Sequence, residues 1–308
     1  MTDRVDVVVV GEALVDIVEA PGGRTEHPGG SPMNIAYGLG RLGNRVALLT
    51  RVGEDEHGRT VLAHLAAAGV ELVPGSVVPG ATSTALARLD REGAATYEFA
   101  IDWRLPGPVA LPRAPLLHVG SIGATLEPGD DSVFELVQAS GALVTFDPNV
   151  RPSIIGSREA ALDRVERYYP LTQLVKLSDE DARWLYPDEP LEAIAQRLVE
   201  QGVRLVAITL GSDGCLITDT RRSIRLPAPP TRVADTIGAG DSFMSGLIDA
   251  AIRQGLIGAI ASGRLSDRDL ETLAVGGLAS ASVTVSRSGA ESPDRTEVEA
   301  ATWRILAG

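Results

Sequence analysis

The chain of 308 residues has one cysteine, Cys215, which excludes an internal disulfide and any cysteine-rich metal cluster and reads as a small core residue. Its four histidines, His27, His57, His64 and His118, show no paired ligand spacing. Long apolar runs are also lacking: no stretch reaches the roughly eighteen residues of a membrane-spanning candidate. The N-terminus runs straight into a strand-like segment instead of a charged region followed by a cleavage site, so the expected location is cytoplasmic. Positive charge is short too. With 28 Lys+Arg against 41 Asp+Glu the net charge is −13, a field that repels nucleic acid and anionic membranes. Lysine is the scarcest charge of all: Lys176 stands alone, in Leu174-Val175-Lys176-Leu177-Ser178. That frame fits neither a P-loop nor a protein-kinase phosphate clamp, and both nucleotide-binding folds are thereby excluded.

What is present supports a folded α/β protein, since 44% of the residues are hydrophobic. Residues 5–10 form a β-branched run ended by Gly11, as in a strand covered on both faces of a parallel sheet. Similar runs at 46–50, 116–120, 143–147 and 205–210 alternate with helical patterns through Ile35, Leu39 and Leu42, through Val61 and Leu65, and through Val133 and Val137. The pattern breaks once: residues 84–90 and 95–101 alternate around a turn at Arg91-Glu92-Gly93 and read as a hairpin projecting from the main sheet. Gly38-Leu39-Gly40-Arg41-Leu42-Gly43 matches a dinucleotide fingerprint letter for letter. It lies inside and at the end of a helix rather than between a strand and a helix, so close helix packing accounts for it better.

The chain is organised around Asp235-Thr236-Ile237-Gly238-Ala239-Gly240-Asp241-Ser242-Phe243-Met244-Ser245-Gly246. Phe243, Leu247 and Ala251, with Met244, Ile248 and Ile252, recur every four positions and predict a helix starting near Ala239. The glycines before it permit a tight turn and leave the first amides pointing outward, a ready anion site. Asp241 in the first turn is kept ionised by roughly half a positive charge of the helix dipole. An ionised carboxylate beside an anion hole suits phosphoryl transfer: the base accepts a hydroxyl proton while the amides hold charge on the transferred phosphate.

Other candidates lie just past strand ends, where open α/β sheets bind ligands. Asp16 follows the first strand, either as a ligand group or as a solvated turn carboxylate. His27-Pro28-Gly29-Gly30 leads into a helix with Ser31 as N-cap and Pro32 in its first turn, and Asn34 offers a donor and an acceptor to a polyol. In Asp147-Pro148-Asn149-Val150-Arg151-Pro152 the prolines fix the loop, and Arg151 can grip a carboxylate as a fork. Ser178 caps a helix whose first turn carries Asp181. Thr209-Leu210-Gly211-Ser212-Asp213-Gly214 is a glycine turn between strands. Pro227 to Pro230 reads as a stiff connection before the central motif.

The 235–246 stretch closely resembles the DTxGAGDxFxxG signature of the ribokinase-like (PfkB) carbohydrate kinases, and residues 11–43 resemble that family's N-terminal signature. The resemblance spans nearly the whole chain. It implies a single kinase domain over 1–308, a three-layer α/β sandwich with a mainly parallel sheet, and a small β lid from segments of about 12–30 and 82–105. The lid would cover the sugar and offer a dimer contact; Phe99, Trp103 and Arg104 are candidates to reach substrate or to pack within it. The family's roles fall on Asp241 as catalytic base; on Gly238, Ala239, Gly240 and Asp241 as anion hole; and on Asp16, Gly29, Gly30, Asn34 and Arg151 as sugar contacts. Lys176, Ser178, Thr209, Gly211, Gly214 and Gly240 would meet ATP. Asp181 would act on Mg²⁺, although the family carries Asn-x-x-Glu where this chain has Ser178 and Asp181. Residues 272–285 would line the adenine pocket, and Asp235 with the loop 286–290 would hold a monovalent cation, K⁺. Gly11-Glu12-Ala13-Leu14-Val15-Asp16, Gly29-Gly30-Ser31-Pro32-Met33-Asn34 and the 147–151 element look most like fructokinases, with 2-keto-3-deoxygluconate kinase as runner-up. A sugar-responsive protein that kept the fold and lost turnover is the alternative from another class.

Overall fold

Short apolar runs without alternation must be covered on both sides, and the computed structural model, which describes residues 4–89, 95–105, 107 and 109–307, places them that way. In chain order the strands are β1 (Val7–Val10), β2 (Leu14–Ala20), β3 (Gly23–Gly29), β4 (Val46–Leu49), β5 (Val52–Gly53), β6 (Glu71–Leu72), β7 (Val77–Val78), β8 (Thr84–Leu89), β9 (Ala95–Ala100), β10 (Leu116–Gly120), β11 (Leu143–Asp147), β12 (Leu174–Ser178), β13 (Leu205–Thr209), β14 (Cys215–Asp219) and β15 (Ser223–Leu226). The helices are α1 (Ser31–Arg41), α2 (Glu56–Ala67), α3 (Ser121–Thr125), α4 (Gly129–Ala139), α5 (Pro152–Ile155), α6 (Arg158–Glu166), α7 (Asp179–Leu185), α8 (Leu191–Glu200), α9 (Ala239–Arg253), α10 (Ile257–Ser262), α11 (Asp267–Val285) and α12 (Arg295–Ala307).

Nine strands form the main sheet in the order β15-β14-β13-β12-β11-β10-β1-β4-β6. It is parallel from β13 to β6, and only β14 and β15 run antiparallel. One face, with Val7, Val9, Leu48 and Leu174, packs on Ile35 and Leu39 of α1 and on Phe243, Met244 and Leu247 of α9. The other, with Val8, Val10, Phe146 and Val175, packs on Val133, Val165, Ile194 and Leu198 from α4, α6 and α8. Two helical layers enclosing one sheet make the expected three-layer sandwich. Cys215 is buried in the first face, where burial pushes its thiol up to about 12. No helix among the described residues is long and apolar enough to cross a membrane.

A second sheet, in the order β3-β2-β8-β9, stands off the main one. β8 and β9 form the expected hairpin; the turn at Arg91-Glu92-Gly93 lies outside the described residues. The partner strand β3 was not foreseen. Residues 27–30 read as a glycine turn into a helix, and no apolar alternation runs through 23–29 to mark a strand within the expected lid segment. β3 is an edge strand exposed along most of its length, where proline is tolerated and no buried face imposes a pattern.

α1 also differs from expectation by one residue. Gly30 is its N-cap, at φ 104, and a Cβ there would stand 2.7 Å from the Glu12 carbonyl oxygen. Ser31 therefore lies within the first turn, where its hydroxyl is free to bond elsewhere. The packing reading of Gly38 holds: a Cβ on it would meet Ser245 Oγ of α9 at 2.6 Å.

Candidate active site

α9 begins as its sequence requires. Gly238 takes a left-handed φ of 74, and a Cβ there would lie 2.6 Å from that of Ala290. Of the four amides expected to form an anion hole, one is withdrawn: Ala239 N–H donates to the Thr236 carbonyl at 3.2 Å. The tight glycine turn that starts the helix closes on itself at this one position. The N–H groups of Gly238, Gly240 and Asp241 find no acceptor among the described residues and remain as donors.

The Asp241 carboxylate is held in place by two groups from α1. Ser31 Oγ donates to Oδ1 at 2.6 Å, and Asn34 Nδ2 donates to Oδ2 at 2.9 Å. Each oxygen keeps a lone pair, and the side chain is only partly buried, so a hydroxyl can still approach it. The sequence named Asn34 as a sugar contact and Ser31 as a cap; the structure makes both of them holders of Asp241. The visible hint for Ser31 was its place between two glycines and a proline, which suits a cap equally well.

Asp16 lies across the cleft on β2. Its carboxylate is solvent-accessible but closely walled by protein: burial, with a further push from the Asp241 charge, outweighs the pull of Arg151 and His27 and raises it to about 6. Gly29 makes room for it, because a Cβ there would sit 1.9 Å from Asp16 Oδ2. Arg151 is exposed and folded back, one Nη1 donating to the carbonyl oxygens of Asn149 and Val150 and, at 2.7 Å, to Asn149 Oδ1. Asn149 itself adopts φ 38, in the left-handed region.

Lys176 is buried beneath the start of α9, its Nζ 2.9 Å from Asp147 Oδ2. A Cβ on Gly240 would lie 2.8 Å from that Nζ, so the missing side chain is what lets the ammonium reach the helix start. Burial alone would lower the lysine pKa; Asp147, with Asp181 and Asp241, outweighs it and raises the value. Burial pushes Asp147 up to about 6 against the pull of Lys176, so both partners are charged at neutral pH. Asp147 Oδ1 has no hydrogen-bond partner among the described residues.

Ser178 and Asp181 form a reciprocal capping box on α7, Ser178 Oγ donating to Asp181 Oδ2 at 2.7 Å and accepting from Asp181 N–H at 2.9 Å. Asp181 Oδ1 accepts from Val150 N–H at 2.9 Å. These bonds tie the end of β12 to the 148–151 loop and hold Ser178 and Asp181, the residues expected to meet the nucleotide and Mg²⁺, in one fixed orientation. Asp235 accepts from Ile237 N–H at 3.0 Å and from Gly289 N–H at 2.9 Å, which ties it to the 286–290 loop. Trp103 is 3% exposed and packs into the lower core, so it does not reach the cleft. Arg104 pairs with Asp102 at 3.7 Å, and Phe99 stacks with Tyr97 on the small sheet.

On the far side of the α9 start lies a cavity of about 560 Å³, lined by Thr209, Gly211 and Gly214, by Ala239 and Gly240, and by Leu278, Ala281 and Val285 of α11. Ala228, Pro229 and Pro230 form another of its walls, so the proline-rich connection is more than a spacer. The cavity is mostly apolar and opens toward the unpaired amides, a fit for an aromatic base with a charged tail.

A carboxylate offered to a hydroxyl, beside free amides that hold anionic charge, defines an α/β phosphotransferase. The two halves of the site sit on either side of one helix start. The chain belongs to the pfkB family of carbohydrate kinases, whose family model matches residues 4–297, and its sandwich is ribokinase-like. It is 31% identical over 261 residues to the fructokinase of Klebsiella pneumoniae, covering 80% of this chain and 85% of that one. The fructokinase of Vibrio cholerae, solved with fructose, ADP and calcium, matches with a TM-score of 0.81 at 26% identity over 98% of each chain. The ATP-bound fructokinase of Xylella fastidiosa has a TM-score of 0.81 at 25% identity, over 98% of this chain and 99% of that one.

The raised Asp16 carboxyl gives a pH dependence. In the sugar-binding role that the resemblance implies for Asp16, the ionised form is the stronger acceptor, so sugar affinity should strengthen as pH rises through about 6. Lowering pH from about 8 to about 5 should weaken sugar binding roughly tenfold, and Asp16→Asn should flatten the profile, as read by calorimetry. The same upward shift makes this carboxyl's contribution to folding depend on pH: it is complete below about 4, the ordinary carboxylate value, and is lost as pH rises through about 6.

Proposed function

We propose that the protein is an ATP-dependent fructokinase, transferring the γ-phosphoryl group of ATP to a hydroxyl of fructose. The observation that carries this reading is the Asp241 carboxylate, aimed by Ser31 and Asn34 at the mouth of the open α9 amides. Fructose would lie between Asp16, Asn34 and the Gly29-Gly30 backbone, with Arg151 near its far end. The attacking hydroxyl gives its proton to Asp241 as its oxygen bonds to phosphorus, and ADP departs. The amides of Gly238, Gly240 and Asp241, with the Lys176 ammonium, face the charge that spreads over the phosphoryl oxygens.

Adenosine fits the apolar cavity beside α11, with its phosphates running along the 209–214 turn toward Gly240. Mg²⁺ bound to the triphosphate would neutralise its charge, and the unpartnered Asp147 Oδ1 is the buried carboxylate oxygen left to reach it through water. Asp235 and the 286–290 loop would frame a K⁺ site with carbonyl oxygens.

We read the whole chain as one kinase unit. In it the β3-β2-β8-β9 sheet, within segments 12–30 and 82–105, is a lid that excludes water which would otherwise hydrolyse ATP. The outer face of this lid, where Tyr97 is 66% exposed, would pair with a second copy. A cytoplasmic location, small-molecule substrates and no nucleic-acid or membrane partner complete the reading.

A coupled assay of ADP release over fructose, ribose, 2-keto-3-deoxygluconate and adenosine tests it. Fructose should give the highest kcat/KM. Preference for 2-keto-3-deoxygluconate would assign the free edge of Arg151 to a carboxylate and replace the sugar, while sugar binding without ADP release would make the protein a sensor.

A further inference from the structure

The small sheet meets the body of the molecule at four crossings of the chain, and the first and last of them converge on one residue. Glu12 stands two residues before β2, where the chain enters the sheet; Trp103 stands three residues after β9, where it leaves for good. Glu12 Oε2 accepts from Gly123 N–H at 2.7 Å, and Trp103 Nε1 donates to the Gly123 carbonyl at 2.8 Å. One peptide segment of α3 thus has its donor tied to the start of the sheet and its acceptor tied to the end.

The surroundings are shaped for this contact. A Cβ on Gly123 would lie 2.6 Å from Gly11 Cα and 3.1 Å from Glu12 Oε2, so only glycine lets the entering strand come so close. Gly129 leaves the slot that holds the indole: a Cβ there would meet Trp103 Cδ1 at 2.3 Å. Glu12 is 2% exposed and Trp103 3%, and a carboxylate buried to that degree is costly unless its hydrogen bonds are well made. The crossing into β8 is pinned separately, by Asp55 at the N-cap of α2, whose carboxylate accepts from Thr82 N–H at 2.9 Å and Thr82 Oγ1 at 2.6 Å.

We propose that Gly123 is the common anchor of the lid, and that Glu12 and Trp103 are positioning residues which fix the angle of the sheet over the sugar. This rests on the reading of that sheet as a lid. With both ends tied to one point and the crossing into β8 held by Asp55, the sheet is kept from sliding along the main sheet, and Asp16 on β2 is held in place opposite Asp241. Neither Glu12 nor Trp103 touches the reacting atoms. Their loss would loosen the sugar side of the cleft and leave the nucleotide cavity, built from α9, α11 and the 209–214 turn, as it is.

The test uses Trp103→Phe, which keeps a ring in the Gly129 slot and removes the donor, together with Glu12→Ala and Glu12→Gln, the latter keeping a carbonyl oxygen for Gly123 N–H. Trp103→Phe and Glu12→Ala should each raise the fructose KM about fivefold, the worth of one net hydrogen bond, with the ATP KM within about twofold. ADP release without sugar should rise relative to sugar-dependent release, and Glu12→Gln should restore most of the loss. Hydrogen exchange should quicken in β2, β8 and β9 and stay unchanged in α9 and α11, a readout independent of turnover. An unchanged fructose KM with unchanged exchange in those strands would overturn the anchor, as would exchange rising equally throughout the main sheet. If the wild-type protein phosphorylates no sugar, the kinase reading fails, and the exchange comparison still decides whether Gly123 anchors the sheet.

Discussion

Replacing Asp241 with asparagine is expected to lower kcat by roughly two to four orders of magnitude while leaving sugar affinity nearly unchanged. The reason is in the two bonds that hold the carboxylate. Either Ser31 turns its hydroxyl to accept while Asn34 goes on donating, or Asn34 turns its amide to present oxygen while Ser31 goes on donating, so an asparagine at 241 can keep the same orientation with both contacts satisfied. What disappears is the basicity that takes the proton from the attacking hydroxyl. Steady-state kinetics with fructose, combined with calorimetric binding of sugar and nucleotide, separates the two effects. An Asn variant that turns over at close to the wild-type rate would remove Asp241 from the role of base. A variant with weakened binding and proportionately lower kcat/KM would mean that the carboxylate positions sugar instead.

The reach and the limits of the sequence can be traced to the same helix start. Periodicity places α9 within a residue of its true beginning, because the stripe of Phe243, Leu247 and Ala251 is a local property of the chain. The five strands β1, β4, β10, β11 and β13 are equally plain, since strands buried on both faces carry unbroken apolar runs. Long-range pairing leaves no such mark. Ser31 lies 210 residues from Asp241, Lys176 lies 29 from Asp147, and Trp103 lies 20 from Gly123; in each case the residue looked like something local, a cap, a strand position or a lid aromatic. Ser178 and Asp181 show the converse. Their spacing of three predicts a capping box on local grounds, and the structure forms that box, whereas the role implied by resemblance depends on a ligand and leaves no mark in the local pattern.

The second large effect belongs to Lys176. A cation under the N-terminus of α9 is placed against the helix dipole and beside free amides of the same sign, an arrangement that opposes folding unless an anion completes it. Lys176→Met should therefore cost about 10²- to 10³-fold in kcat/KM, comparable to removing a donor from an oxyanion hole. It should also destabilise the fold by about 3–5 kcal/mol, because Asp147 is left buried and unpaired. The two losses can be taken apart. Without the lysine, Asp147 is pushed further up from its value of about 6 and binds its proton more tightly folded than unfolded. The stability of Lys176→Met should accordingly rise as pH falls through that raised value toward about 4, which thermal melts across the range would register. The double variant Lys176→Met/Asp147→Asn, with no charge left to bury, should regain most of the lost stability at neutral pH and none of the activity. Arginine should not substitute, since the ammonium already stands 2.8 Å from where a Cβ on Gly240 would be and a planar guanidinium has no room there. Activity returning with stability in the double variant would reduce Lys176 to a structural partner of Asp147 and leave the phosphoryl charge to the amides alone.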